Sequence, residues 1–369
     1  MSDTNIKTNV KRQLGLLYLS NFFNNISIAG AAWVLLLVAD GYSLVQVGFA
    51  ETAFHITSIL AEIPSGMFAD VFGRKKSLLI SCIMSILSAV VRGFVPGFAA
   101  ACISVCFSAL SYNFISGSDS AIAYDTLLEA GEQNRYDKYV SAQTTIYRIS
   151  NGLATLCAGL AVIMGNRNAQ MLSIGISLVN MVSLLFLREN KVILKKSDDT
   201  LGKRIKDVCQ GSFVFLKGNR RVAGLIFRNA FVGGIDVLLL FFLQAKLPMT
   251  GIPEWALGPL LFIMSLGGIL GAVIAQKVRK VSLTTLFVFC LSLALTGLVS
   301  EFTGIWYLMT IGGFLTAFAD DVLQIRSDIA LNEMIPPEQR ATLISVNSFC
   351  FSMLMIVMSP LAGLVFSKV

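Results

Sequence analysis

The chain is 369 residues long, 55% hydrophobic and only 14% charged, with a mean hydropathy of +0.73. A soluble domain carries about 25% charged residues, so the composition excludes an ordinary globular protein and points to lipid as the solvent. The net charge of +7 sits mostly in one hydrophilic stretch, where membrane topology accounts for it without a nucleic-acid partner.

Polypeptide crosses lipid only as helices or closed barrels. The apolar runs here are long and continuous, not ten-residue alternations, so an all-α integral membrane protein is expected. At about 20 residues per crossing, eleven spans are read: 13–38, 44–69, 77–95, 97–128, 140–165, 169–187, 221–246, 254–276, 282–300, 303–333 and 340–366. The first is too long for a signal-peptide core and lacks a small-residue cleavage site. Lys and Arg fall on one side of these spans: 22 of the 29 lie before span 1, in alternate connections or in the stretch 188–221. That asymmetry places the N-terminus and the central linker in the cytoplasm.

Span 1 carries Asn21, Asn24 and Asn25 on one face. Asn there serves as interhelical glue or lines a cavity. Span 2 carries Glu51, His55, Ser58 and Glu62 within about 60° of arc at 100° per residue. Ionisable groups inside a membrane face the protein interior or water, not lipid. Two readings of this stripe stand, a proton or cation site and a hydrogen-bonded packing seam. Span 2 ends in Gly66-x-x-x-Asp70-x-x-Gly73-Arg74-Lys75.

That pattern resembles the signature loop of the major facilitator superfamily of secondary transporters. The resemblance implies two pseudo-symmetric helical bundles, a small-molecule substrate between them and a rocking transport cycle without a cofactor or metal. It further implies a conformational latch. Asp70 would sit at the positive end of the helix beginning near Arg340, Arg74 would pair with Asp125, and Gly66 and Gly73 would permit close packing and a tight turn.

Span 4 contains Ser116-Gly-Ser-Asp119-Ser-Ala-Ile-Ala-Tyr124-Asp125-Thr-Leu, similar to a bacterial drug-efflux branch of that superfamily. It lacks that branch's helix-4 arginine, and span 5 lacks its Gly-Pro motif. Asn113, Ser116, Ser120 and Tyr124 read as a polar stripe. Span 5 holds Thr144, Arg148 and Asn151 on one face, with Asp119 a partner for Arg148. The linker 188–220 contains a stretch, 205–217, that reads as an interfacial amphipathic helix. Span 7 holds Arg228, Asn229 and Asp236 within about 100° of arc, an internal ion pair or network. Span 10 places Asp320, Asp321, Gln324, Asp328 and Asn332 on one side. Cys82, Cys102, Cys106, Cys157, Cys209, Cys290 and Cys350 show no metal spacing and are expected to stay reduced.

The chain repeats at an offset of 205 residues. Gly66, Arg74, Lys75 and Arg135 map to Gly271, Arg279, Lys280 and Arg340, while Ala275 replaces Asp70. The expected organisation is a six-helix bundle at 1–187, a linker at 188–220 and a second bundle at 221–369. The same offset would place a twelfth helix at 374–392, so the C-terminus is expected outside the cell. A chain of eleven helices also admits a non-transporting remnant or sensor.

Seven internal acids, Glu51, Glu62, Asp119, Asp236, Asp320, Asp321 and Asp328, outnumber Arg148, Arg228 and Arg326. A net negative interior attracts cations. The leading expectation is a monomeric, proton-coupled antiporter in the bacterial cytoplasmic membrane, exporting amphipathic or cationic drugs. An uptake carrier for a polar metabolite is the alternative. Coupling candidates are Glu51, His55, Glu62, Asp119, Asp236, Asp320 and Asp321. Cavity candidates are Asn21, Asn25, Asn113, Tyr124, Arg148 and Arg228. No nucleophile elbow, phosphate loop or metal cluster marks an enzyme.

Overall fold

A computed structural model of the chain describes residues 3–189, 210, 217–334 and 340–367. The expected helix at 205–217 and Cys209 lie outside the described residues, apart from Gln210 and Lys217. The helices in chain order are α1 (Asp3–Asn25), α2 (Ile28–Ala31), α3 (Trp33–Ala39), α4 (Leu44–Phe72), α5 (Arg74–Phe94), α6 (Phe98–Ile115), α7 (Ser118–Glu129), α8 (Tyr136–Leu156), α9 (Ala158–Met164) and α10 (Asn166–Leu185). After the linker come α11 (Arg220–Met249), α12 (Leu257–Lys277), α13 (Leu283–Ser300), α14 (Trp306–Met334) and α15 (Arg340–Phe366). The described residues contain no strand. Among the described residues nine helical segments are long and apolar enough to cross a membrane, α6 and α7 counting as one, and α8 with α9, bent by 45°, makes a tenth.

The remaining expected span, 13–38, is divided among α1, α2 and α3. Each break is supplied with a cap, because a helix start leaves amide groups without partners. Ser27 Oγ accepts from Gly30 N at 3.1 Å, and Gln244 Oε1 accepts from Val34 N at 3.2 Å. The expected span 97–128 also breaks, at Gly117, which takes a left-handed φ of 76°. The break removes the normal partner of the Phe114 carbonyl, and Ser77 Oγ donates to it instead at 2.7 Å.

The chain forms two compact units. One comprises Met1–Ala31, Thr57–Cys157 and Met164–Leu201; the other comprises Ala32–Ile56, Ala158–Ile163 and Gly202–Val369. The first packs α1, α5, α7, α8 and α10 around Leu17, Leu78, Ile122, Leu127, Tyr139 and Leu184. The second packs α11, α13 and α14 around Val232, Leu286, Cys290, Ala319 and Leu323. Its α12 lies so close to α14 that a Cβ on Gly267 would strike the Phe314 carbonyl, and one on Gly271 would stand 2.6 Å from that of Phe318. Small residues let membrane helices approach this closely.

Leu44–Ile56, early in sequence, belongs to the second unit because it packs on α15. A Cβ on Gly48 would strike the Ser359 carbonyl, and one on Gly363 would stand 2.5 Å from that of Leu44. Pro360 lacks the N–H that would bond the Ile356 carbonyl four residues back. Thr52 Oγ1 donates to that carbonyl from α4 at 3.2 Å.

Candidate functional site

The signature loop lies at one end of the first unit. Gly73, at φ 104°, turns the chain between α4 and α5. Arg74 Nη1 pairs with Asp125 Oδ2 on α7. Lys75 Nζ donates to the Leu185 carbonyl at 2.7 Å. Sequence reasoning missed Glu189: its carboxylate accepts from Arg74 N at 3.0 Å and Lys75 N at 2.9 Å, capping α5. A Cβ on Gly73 would stand 2.7 Å from Glu189 Oε2, so glycine is required there for space as well as for φ. Gln13 fixes the same region by bonding the backbone N and O of Arg188, both at 2.9 Å.

Gly66 and Asp70 are exposed, and among the described residues nothing lies within 4 Å of a Cβ on Gly66. Within the second unit, α4 approaches α15 closely at Gly48 and Gly363. Arg340 begins α15, and its side chain lies outside the described residues.

The stripe on α4 divides among several partners. Glu51 and His55 are buried and joined, Oε1 to Nε2, at 3.2 Å. The other ring nitrogen of His55 meets Ser352 Oγ of α15 at 3.2 Å. Phe54 and Phe351 stand edge-on to the imidazole. Ser58 exchanges hydrogen bonds with Asn113, which is buried. Glu62 is exposed and acts electrostatically on Tyr112, as does Tyr147. Tyr112 is 60% exposed and Tyr147 48%. All three groups are exposed and belong to the first unit.

The asparagines of α1 are engaged within that unit. Asn21 donates to the Gln143 carbonyl at 2.9 Å and to its side chain, Asn25 donates to Asn21, and Asn180 donates to Asn24 at 2.8 Å. Gln143 in turn donates to Tyr139. Asp119 accepts from Ser120 N at 2.7 Å. Tyr124 is exposed and stands edge-on to Tyr136. The break at Gly117 interrupts the expected stripe from Asn113 to Tyr124.

Two expected arginine pairings do not form. Arg148 is exposed, on the same side of α8 as Thr144 and Tyr147, and none of the ion pairs among the described residues joins it to Asp119. Arg228 lies over the Phe287 ring at 5.3 Å, while the charged groups acting on Asp236 are Asp320 and Asp321. Arg228 and Asp236, eight residues apart, reach neighbours on different helices.

Asp236 (α11), Asp320 and Asp321 (α14) form the main acidic group of the second unit. Glycines missed in the sequence make room for it. A Cβ on Gly233 would stand 3.0 Å from Asp320 Oδ1, and one on Gly268 would strike Asp321 Oδ2. The like charges act on one another, an arrangement relieved by a proton or another cation. Among the described residues no group of His, Cys, Asp and Glu converges as metal ligands.

The model of the Major Facilitator Superfamily matches residues 14–280. The chain belongs to the major facilitator superfamily. It is a membrane transporter, not an enzyme. An uncharacterized MFS-type transporter of Bacillus subtilis (strain 168), YxaM, is 24% identical over 336 residues, spanning 88% of this chain and 81% of that one. Among solved structures, a mutant of the nucleoside transporter NupG superposes with a TM-score of 0.75 at 13% identity, over 98% of this chain and 96% of that one. A D-xylose–proton symporter gives 0.63 at 14% identity, over 97% and 90%. At these identities the structures share the superfamily's fold.

Proposed function

We propose that this transporter exports amphipathic, cationic small molecules in exchange for protons, by alternating access, as a monomer in the bacterial cytoplasmic membrane with its N-terminus and linker inside. The observation that carries this reading is the acidic group Asp236, Asp320 and Asp321. Carboxylates are costly within a membrane and are kept for ion and substrate pathways. Their mutual repulsion favours a cation, and alternate occupation by proton and cationic substrate couples the two. Glu62 with Tyr112 and Tyr147 supports the same reading, since aromatic faces attract organic cations.

The test is transport in proteoliposomes under an imposed pH gradient, following a fluorescent organic cation. Gradient-driven movement lost in Asp320→Asn and Asp236→Asn is expected. Movement unchanged in both variants removes the acidic group from the coupling. The nucleoside and xylose carriers favour a second reading, uptake of an uncharged polar metabolite. Proton-driven accumulation of such a solute, with no movement of the cation, would establish it.

A further inference from the structure

At the end of the second unit opposite the 278–282 turn, the chain buries a lysine and a glutamate that no hydrogen bond among the described residues satisfies. Lys246, near the end of α11, is 6% exposed, and Glu301, in the turn after α13, is 1% exposed. Among the described residues, Lys246 Nζ and both carboxylate oxygens of Glu301 are sealed from solvent without a hydrogen-bond partner. Each is the one charged group found acting on the other. Two phenyl rings complete the compartment. Lys246 Nζ stands 5.2 Å from the centroid of Phe302 and 5.1 Å from that of Phe366, whose rings stack 6.1 Å apart. Phe242 backs Phe366 at 4.9 Å.

A carboxylate beside aromatic faces within about 6 Å of a cation is the chemistry that recognises alkylated ammonium groups. The chain's own ammonium occupies it. It makes the cation–π contacts but no hydrogen bond to the carboxylate, so the occupant is a loose fit. Phe366 is buried, whereas Phe302 is 42% exposed, which gives the compartment one wall at the surface.

We propose that Glu301, Phe302 and Phe366 form an ammonium-binding site that Lys246 fills as a tethered competitor, and that the ammonium group of a cationic substrate takes the site when Lys246 withdraws. The proposal rests on the cation-export reading and names where such a substrate docks. The site is separate from Asp236, Asp320 and Asp321. The lysine gives it a default occupant, so the carboxylate keeps a counter-charge between substrates. A buried charge stripped of its partner is strongly destabilising, and that makes a competitor built into the chain useful.

The experiment excises the competitor and offers it back. Purified full-length protein carrying Lys246→Ala or Lys246→Met is melted with n-butylammonium, the lysine side chain as a free molecule, and with 1-butanol as the neutral control. Butylammonium is expected to raise the Tm of Lys246→Ala by roughly 4 °C at a hundredfold excess over Kd. Lys246→Met, which keeps the packing, should respond in the same sense. Butanol and the wild type should show no shift. Adding Glu301→Gln to either variant should abolish the response. Equal shifts in wild type and variants, equal shifts with butanol, or a response that survives Glu301→Gln would each overturn the site. Melting requires no gradient and no transport, so failure of proton coupling leaves this result standing, and an exporter without the shift refutes the site alone.

Discussion

Glu189 is expected to hold the signature loop in place, and its removal is measurable. Its carboxylate satisfies two of the amides that open α5, those of Arg74 and Lys75. Losing an N-terminal cap costs about 0.5–2 kcal/mol. The negative charge at a helix start adds about 0.3–1 kcal/mol, reduced here because Glu189 is half-buried and partly screened. Glu189→Ala should therefore lose about 1–2 kcal/mol in total. For a protein of this size that lowers Tm by roughly 1–3 °C. Glu189→Gln keeps one carbonyl acceptor and should lose about half as much. The assay is thermal unfolding in detergent at a fixed scan rate, with Glu129→Ala, an exposed glutamate, as control. Hydrogen exchange at the amides of Arg74 and Lys75 should quicken in Glu189→Ala and not in the control. Unchanged exchange with a Tm equal to that of the control would refute the capping role.

Thr52→Val should cost about 1 kcal/mol by orphaning the Ile356 carbonyl. The loss should vanish in a Pro360→Ala background, where the restored amide bonds that carbonyl, and a double-mutant cycle in Tm reads the difference. Gly48→Leu should abolish the packing of α4 on α15, since even a Cβ meets the Ser359 carbonyl; retention of native elution on size exclusion and of wild-type Tm would contradict it. Arg326→Ala should destabilise the second unit by about 1–3 kcal/mol through its buried bond to the Arg279 carbonyl. Arg279→Ala should be nearly silent, because its backbone supplies the acceptor; thermal unfolding of both variants decides.

The spans and the loop are legible in the sequence because long apolar runs have few alternatives in lipid, and because Gly and Arg at a turn leave a local pattern. The breaks at Ala32 and Gly117 are not legible. Each depends on a capping or hydroxyl group from elsewhere: Gln244 for α3 and Ser77 for the Phe114 carbonyl. The acids of α11 and α14 stand out by type, but the glycines beside them do not, since Gly233 and Gly268 sit among other small residues in apolar helices. Arg148 and Arg228 show the limit of pairing by helical arc. Sharing a face fixes direction along one helix, while the partner is chosen by the helix packed against it, for Arg228 the ring of Phe287. Glu189 lies outside every motif and was invisible for that reason.

The 205-residue repeat preserves a tie while exchanging its ends. In the first unit the loop arginine, Arg74, reaches the carboxylate of Asp125 on α7. The offset carries Arg74 to Arg279 but Asp125 to Ala330, so a copied ion pair is impossible in the second unit. There the helix supplies the cation instead. Arg326 of α14, at a position that maps back to Ala121, donates Nη2 to the Arg279 carbonyl at 2.9 Å. Each unit thus ties the turn after its second helix to its fourth, once through two side chains and once through a side chain and the backbone. A backbone acceptor does not depend on which residue carries it, so the second turn tolerates loss of the motif's acid, as Ala275 in place of Asp70 illustrates. The first turn has no such freedom, because its tie requires both Arg74 and Asp125. The specific signature is therefore concentrated in the first half of the chain, where side chains carry both ends of the contact.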